Sequence, residues 1–367
     1  MRKKKSAVLD IGSSKITVAI GERGENKTFL IKARKEIEYD GYTEKTFIDV
    51  ESLSRALYLA KEYLLSSQKD INTIYVGVPG AFSEVMVKDS QISFAKKKKI
   101  TEEDIETLFE AAFVLPSTKY TLINRSAIVY ELDDYRRLAN PVGNISAILK
   151  GKLSFVLCSN YFIEIVKPLI EANSNIKVEF VSSPLAQAMY LLDAENRDKT
   201  AMMVDVGYIS TCFTLIQGDG ILYQNTFDYG GGYITAMIAE KYEIDFSVAE
   251  ELKKKINLTK DETGLYSLIE VDNKRYPEEE VIKVVKYSLD GLCEQISQSI
   301  ELSGYLIPEY VPIMITGGGI AYLRGAKEHV SGRVGAITEV IAPEVPLMDK
   351  PTESSLLSLL NLVVEQN

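Results

Sequence analysis

Two segments of this chain repeat the same order of apolar, acidic, glycine and hydroxyl residues, and this repeat constrains the fold more than any other feature. The first segment is LDIGSSKITVAI at residues 9–20, and the second is VDVGYISTCFTLI at residues 204–216. Each reads as a strand, a tight turn and a second strand, and a third strand-like run follows. The repeat predicts an internal duplication that gives two lobes of similar topology.

Helix and strand patterns follow each repeat in a similar order, which indicates an α/β fold. Residues 85–161 do not fit this scheme, and their alternating strands and single helix predict an inserted α+β subdomain. We therefore expect four units. They are a first lobe (1–84 with 162–198), the insertion (85–161), a second lobe (199–228 with 307–367) and a helical subdomain (229–306).

The composition excludes several classes of protein. The 367 residues carry a formal net charge of −10, so we do not expect nucleic acid as a partner. No signal peptide and no apolar run long enough to span a membrane is visible, which favours the cytoplasm. Cys158, Cys212 and Cys293 read as reduced core thiols, and His329 is the single histidine, so no histidine-based catalytic or metal site is predicted.

The turn of the first repeat has the composition of a phosphate site. Gly12, Ser13 and Ser14 offer backbone N–H groups and hydroxyls that can approach a diphosphate closely. Lys15 can add a positive charge near a β-phosphate, and Asp10 can hold a hydrated Mg²⁺. The same composition is also typical of a tight turn that binds no ligand.

The second repeat and two glycine triplets extend the candidate site. Asp205 is a second carboxylate that can reach Mg²⁺ through a bound water, and each triplet is predicted to join a strand to a helix. Four such turns in this order are more specific than any one of them. The additional candidate residues are Asp205, Gly207, Thr211, Gly230, Gly231, Gly232, Gly317, Gly318 and Gly319.

On these motifs, the sequence resembles the FtsA family of bacterial actin-like cell-division proteins over essentially the whole chain. DIGSSK and VDVGYIST resemble the two phosphate motifs of that family, YGGGYIT its next glycine segment, and ITGGGI its adenosine motif. Three segments resemble the subdomain and flanking helix that distinguish FtsA from other actin-like proteins. These are ITEEDI (100–105), NPVG (140–143) and SSPLA (182–186).

The resemblance implies two RNase-H-like lobes, an inserted SHS2-like subdomain, and ATP with Mg²⁺ between the lobes. It implies that Glu250 and Lys253, in AEELK, contact the ribose and adenine. By the same resemblance the partners are the tail of FtsZ or other division proteins, with possible self-association into filaments. We expect recruitment to the inner face of the membrane at the division site, with only indirect or weak membrane contact.

The sequence also departs from the FtsA pattern. Tyr208 and Ile209 replace two glycines of the second phosphate motif, and Cys212 replaces its final aspartate, which argues against ATP hydrolysis. No catalytic residue is assigned. Residues 354–364 are predicted to form a buried helix of the second lobe rather than the amphipathic membrane helix with which the family normally ends.

Two alternatives stay open at this stage. The first is a PilM-like adaptor, which has the same core and insertion and binds a peptide of a membrane partner. The second is a sugar or acid kinase of the same superfamily, which needs a carboxylate base beside a substrate hydroxyl. No motif marks such a base, because Glu131, Asp133 and Asp134 lie in the insertion and read as solvated charges.

Overall fold

The framework of the first lobe is a three-stranded meander followed by helix and strand. The computed structural model describes residues 5–24, 29–68, 70–259 and 267–366, so parts of the predicted units, among them residues 1–4 and 260–266, lie outside it. The elements are β1 (Lys5–Ile11), β2 (Lys15–Arg23), β3 (Phe29–Glu38), β4 (Tyr42–Thr43), β5 (Thr46–Phe47), α1 (Val50–Ser67) and β6 (Thr73–Val78).

An inserted sheet with one helix on its face then interrupts this lobe, before the chain returns to it. The Thr101 hydroxyl caps the first turn of α2, and the Asp104 carboxylate accepts a hydrogen bond from the Thr101 N–H. The elements are β7 (Ser83–Lys99), α2 (Glu102–Ala112), β8 (Tyr120–Leu132), β9 (Arg137–Leu138), β10 (Ile145–Ser159), α3 (Asn160–Glu171), β11 (Lys177–Ser182), α4 (Ser183–Leu191) and α5 (Ala194–Lys199).

The second lobe begins with another meander, which confirms the repeat in the sequence. A group of helices follows it and precedes the last strands. The elements are β12 (Ala201–Val206), β13 (Thr211–Gln217), β14 (Gly220–Phe227), α6 (Gly231–Tyr242), α7 (Phe246–Lys255), β15 (Leu268–Val271), β16 (Lys274–Pro277), α8 (Glu278–Ser303), β17 (Ile313–Thr316), α9 (Ala326–Val334), β18 (Thr338–Val340) and α10 (Ser354–Gln366).

The two main sheets have the same topology and the same register. Their strand orders are β3-β2-β1-β6-β11 and β14-β13-β12-β17-β18, with the meanders antiparallel and the remaining pairs parallel. Asp10 pairs with Thr17 on one side and Gly77 on the other, and Asp205 pairs with Cys212 and Thr316. The duplication therefore places one carboxylate at the same point of each sheet.

The last helix, α10, packs on the first sheet. Leu356 and Leu360 are buried with Val8 of β1 and Ala19 of β2. The predicted burial of this segment is confirmed, but its predicted place in the second lobe is wrong. The reason is that its apolar side chains, which lie on most of its sides, fill the space between β1, β2 and α4.

No helix among the described residues is long and apolar enough to cross a membrane.

Truncation of Leu360 tests the contribution of α10. Its side chain is fully buried against Gly21, where an added Cβ would lie 2.7 Å from the leucine Cδ1. Leu360→Ala is expected to lower the free energy of unfolding by about 2–5 kcal/mol, because the cavity cannot collapse around a strand. Leu306→Ala, at a side chain that is 99% exposed, is the control and should change it by less than about 0.5 kcal/mol. Equal effects in urea unfolding would contradict the packing role of α10.

Candidate functional site

The two predicted phosphate turns contact each other across the boundary between the lobes. Each turn is closed by a backbone hydrogen bond whose donor is its glycine, Gly12 or Gly207. The Ser13 hydroxyl oxygen accepts a hydrogen bond from the Ile209 N–H at 3.0 Å. A backbone donor of the second turn is therefore already satisfied by the first turn.

The glycine triplets meet the second turn, so the structure brings all four glycine-bearing segments together. The Gly231 N–H donates to the Gly207 carbonyl at 2.9 Å, and the Gly319 N–H donates to the Val206 carbonyl at 2.7 Å. A Cβ added to Gly231 would lie 2.3 Å from the Gly319 carbonyl oxygen. Only glycine permits this approach of the two backbones.

Only the first triplet opens a helix. α6 begins at Gly231, but α9 begins at Ala326, so the predicted helix start directly after the second triplet is wrong. The chain instead turns at Gly317, whose φ of +88° is in the left-handed region. At the start of α6, the Gly232 N–H donates to the Tyr208 carbonyl at 2.7 Å. The first N–H groups of this helix thus donate hydrogen bonds to carbonyls of the second turn.

Asp10 and Asp205 face one small cavity of about 80 Å³ beneath the turns. The Ser355 hydroxyl donates to Asp10 at 2.8 Å, and the Gln187 amide donates to Asp205 at 2.7 Å. Burial raises the pKa of Asp10 to about 7, and the Asp205 carboxylate adds to this shift, although the Ser355 hydrogen bond opposes it. Burial also raises the pKa of Asp205. Both shifts are in the direction expected when burial disfavours the charged form of a carboxylate.

The cavity fits a hydrated cation better than a nucleotide. Its two carboxylates are ligands that Mg²⁺ prefers, and the buried Ser183 hydroxyl on its wall has no hydrogen-bond partner among the described residues. Ligand pockets for molecules of nucleotide size are about 300–1,000 Å³. The Ser13–Ile209 hydrogen bond also uses the Ile209 N–H, so a phosphate that binds through this donor must displace the Ser13 hydroxyl.

Two side chains predicted to bind phosphate are engaged elsewhere, and a third residue, Ser14, makes a backbone contact through its carbonyl, which is not one of its predicted phosphate-binding groups. The Lys15 ammonium pairs with Glu36 of β3 at 2.8 Å, and the Thr211 hydroxyl donates to the Tyr229 carbonyl at 2.6 Å. The Ser14 carbonyl accepts a hydrogen bond from the Tyr39 N–H at 3.3 Å. Their contacts with phosphate stay predictions.

Glu250 and Lys253 form a buried ion pair that joins α7 to α6. The Lys253 ammonium lies 2.7 Å from the Glu250 carboxylate and donates to the Gly231 carbonyl and the Thr235 hydroxyl, both at 2.7 Å. Desolvation lowers the pKa of Lys253. Although burial opposes it, the Lys253 charge holds the pKa of Glu250 below its usual value. The pair supports the start of α6, and its contact with ribose and adenine stays a prediction.

Sequence reasoning missed three residues of this region. Gln187 is a polar residue within the apolar run of α4, which was a usable signal. Ser355 comes from α10 and Tyr322 comes from the loop after the second triplet, where its hydroxyl donates to Glu250 at 3.2 Å. Neither of these two carries a local signal, because only the folded chain brings them to the site.

Comparison with curated proteins relates this chain to bacterial cell division. It is 23% identical to the cell division protein FtsA of Streptococcus pneumoniae serotype 2 (strain D39 / NCTC 7466), over 96% of this chain and 78% of that protein. It is 21% identical to FtsA of Buchnera aphidicola subsp. Baizongia pistaciae, over 89% of this chain and 79% of the relative. The chain is thus similar to FtsA proteins at 21–25% identity. The family model for the type IV pilus assembly protein PilM matches residues 175–265.

Solved structures establish the actin-like α/β fold that the sequence predicts. The structure of the PilM-PilN type IV pilus biogenesis complex matches with a TM-score of 0.66 and 18% identity, over 99% of both chains. MreB 5 of Spiroplasma citri bound to AMPPNP matches with a TM-score of 0.56 and 12% identity, over 100% of this chain and 98% of that one. The fold class is therefore confirmed.

Removal of Glu250 tests the structural role of the buried pair. Glu250→Ala leaves the Lys253 ammonium buried without its carboxylate, which is expected to lower the free energy of unfolding by about 3–5 kcal/mol. Glu251→Ala removes an exposed neighbour that pairs with Lys255, and it should cost less than about 1 kcal/mol. Thermal and urea unfolding of the two variants give the comparison. Similar small losses would show that Lys253 does not depend on Glu250.

The raised pKa of Asp10 predicts a pH dependence of stability. Between pH 3.8 and about 7 the folded state holds a proton that the unfolded state has released, so stability falls as pH rises through this window. Asp10→Asn removes the titrating carboxyl group. The free energy of unfolding of this variant should therefore fall by roughly 2–4 kcal/mol less between pH 4 and 8 than that of the unaltered chain. Urea unfolding at several pH values measures the difference. Parallel profiles for the two proteins would contradict the shift.

Proposed function

We propose that this chain is an actin-like adaptor of cell division that binds the C-terminal tail of FtsZ and links it to the division machinery. The relation to FtsA supports this function, and the proposed binding surface is the helical subdomain at residues 229–306. The proposed place of action is the cytoplasm, at the inner face of the membrane where the cell divides. Self-association into filaments belongs to the same proposal.

The observation that carries the proposal is an exposed aromatic surface on the helical subdomain. Tyr233 of α6 is 42% exposed and Tyr287 of α8 is 70% exposed. The rings of Tyr229 and Tyr233 lie 4.2 Å apart, between centroids, and the Tyr229 hydroxyl donates at 2.6 Å to the carbonyl of Ser288, the neighbour of Tyr287 in α8. We call these three tyrosines the tyrosine surface. Exposed tyrosines of this kind are enriched where proteins bind peptides and other proteins.

Binding of ATP with Mg²⁺ between the lobes is a further part of the proposal. The uncompensated carboxylates of Asp10 and Asp205 support a bound cation. When bound, the metal would neutralise them and bridge to phosphate oxygens. The side chains of this chain would orient the group, with Gln187 holding Asp205 and Ser355 holding Asp10. No residue is assigned to hydrolysis.

A pilus-type adaptor is the second candidate, and a groove in the insertion favours it. The groove has a volume of about 700 Å³ and lies on the sheet of the inserted subdomain beside the turn between β13 and β14. We call it the insertion groove; its lining includes Asp89, Val129, Arg137, Lys152 and Gly218. The likeness to the PilM-PilN complex and the PilM family match support a peptide partner for such a groove.

Peptide titration against two surface variants distinguishes the candidates. A labelled FtsZ C-terminal peptide is expected to bind with a micromolar dissociation constant, near −8 kcal/mol. Tyr287→Ala should weaken this binding at least about tenfold by removing an aromatic contact. Ala139→Trp, which places a large side chain at the exposed rim of the insertion groove, should leave it unchanged.

The reverse pattern would favour the pilus-type candidate. In that case a PilN peptide binds, Ala139→Trp abolishes its binding, and Tyr287→Ala has no effect. Ala172→Trp, at an exposed position after α3, is the matched control for a bulky substitution. If neither peptide binds at millimolar concentration, both candidate functions are wrong.

A further inference from the structure

The lobes of this chain are joined by hydrogen bonds that belong to the protein itself. The shortest of them involve the hairpin formed by β4 and β5, which we call the cross-lobe hairpin. The Asp228 carboxylate, just after β14, accepts hydrogen bonds from the Thr43 hydroxyl at 2.7 Å and from the Glu44 N–H at 2.6 Å. A hairpin of the first lobe is therefore fixed to the second lobe by a charged acceptor.

The backbone of the cross-lobe hairpin is strained at its tip. Glu44 and Lys45 have φ values of +47° and +61°, in the left-handed region that normally requires glycine or asparagine in a two-residue hairpin turn. Residues with a Cβ stay in this region only when surrounding contacts hold them there. The hydrogen bond from the Glu44 N–H to Asp228 is such a contact.

The start of the cross-lobe hairpin also packs on both phosphate turns. Gly41 precedes β4 with a φ of +86°, and a Cβ added to it would lie 2.0 Å from the Ser13 carbonyl oxygen. The same atom would lie 3.0 Å from the Ile209 Cδ1. The hairpin, the first turn and the second turn therefore meet at one point. Separation of the turns cannot occur without movement of the hairpin.

A third connection lies where β14 meets the first lobe. The Gln224 amide nitrogen donates to the Gly80 carbonyl at 3.1 Å and to the Ser83 hydroxyl at 3.0 Å. A Cβ at Gly80 would lie 2.5 Å from the Cys212 sulfur, so the lobes are in close van der Waals contact here. The lobes are therefore joined at a third point, which does not involve the hairpin.

We infer that the cross-lobe hairpin and Asp228 form a clamp that holds the two phosphate turns together without a ligand, and that a magnesium-nucleotide binds only when this clamp opens. The Ser13–Ile209 hydrogen bond uses the Ile209 N–H, one of the backbone donors that a phosphate at the second turn would need. A ligand that requires the open state binds with its intrinsic affinity multiplied by the fraction of molecules that are open. The clamp therefore lowers the apparent nucleotide affinity of the chain.

Asp228→Ala tests the clamp in the full chain without any partner peptide. The inference rests on the proposed nucleotide binding, but the hydrogen-exchange result depends neither on nucleotide nor on the proposed peptide partner. Loss of the carboxylate removes both hydrogen bonds to the hairpin, and hydrogen exchange of the Glu44 and Ile209 amides should accelerate at least about tenfold. Titration with Mg²⁺-ADP and with Mg²⁺-ATP should give dissociation constants at least about tenfold lower than for the unaltered chain, which corresponds to about 1.4 kcal/mol.

Two further variants make the outcome decisive. Thr43→Val removes one of the two hydrogen bonds and should give a smaller change in the same direction. Glu309→Ala, at an exposed carboxylate in the loop between α8 and β17, is the control and should change neither measurement. Unchanged exchange at Ile209 in Asp228→Ala would overturn the clamp. Equal nucleotide affinity in all variants, or no nucleotide binding by any of them, would overturn its competition with nucleotide.

Discussion

The close approach of backbones at the glycine-bearing turns is the constraint on which the rest of this structure depends. The Gly231 and Gly319 backbones lie too near each other for any side chain, and both donate hydrogen bonds to the second turn. This contact fixes the start of α6, which in turn carries the Lys253 and Glu250 pair. The helical subdomain is thus positioned by main-chain contacts, and its outward face is free to differ in sequence.

The matching positions of Asp10 and Asp205 create an electrostatic cost that the fold only partly relieves. Each carboxylate receives one hydrogen bond from a neutral side chain, and the pKa values of both stay raised. A cation between them would remove this cost. The carboxylates suit a metal, whereas the hydrogen bond between the turns uses a backbone donor that a bound phosphate would need. Opening of the proposed clamp would reconcile the two.

The comparisons identify the actin-like fold, whereas the structure adds two candidate partner surfaces. The relation to FtsA and the likeness to PilM concern the whole actin-like core, which the two kinds of protein share. The tyrosine surface and the insertion groove lie on different subdomains, so a partner on one does not exclude a partner on the other.

The sequence by itself determined the duplication, the two α/β lobes and the insertion, because these follow from local periodicity and turn residues. It also indicated which turns would meet. Only the tertiary structure decided that α10 packs on the first sheet and that Ser355 reaches Asp10. It also decided that Lys253 forms a buried ion pair with Glu250. The first two contacts join residues far apart in the chain. Their geometry depends on how the lobes pack, and no local pattern encodes it.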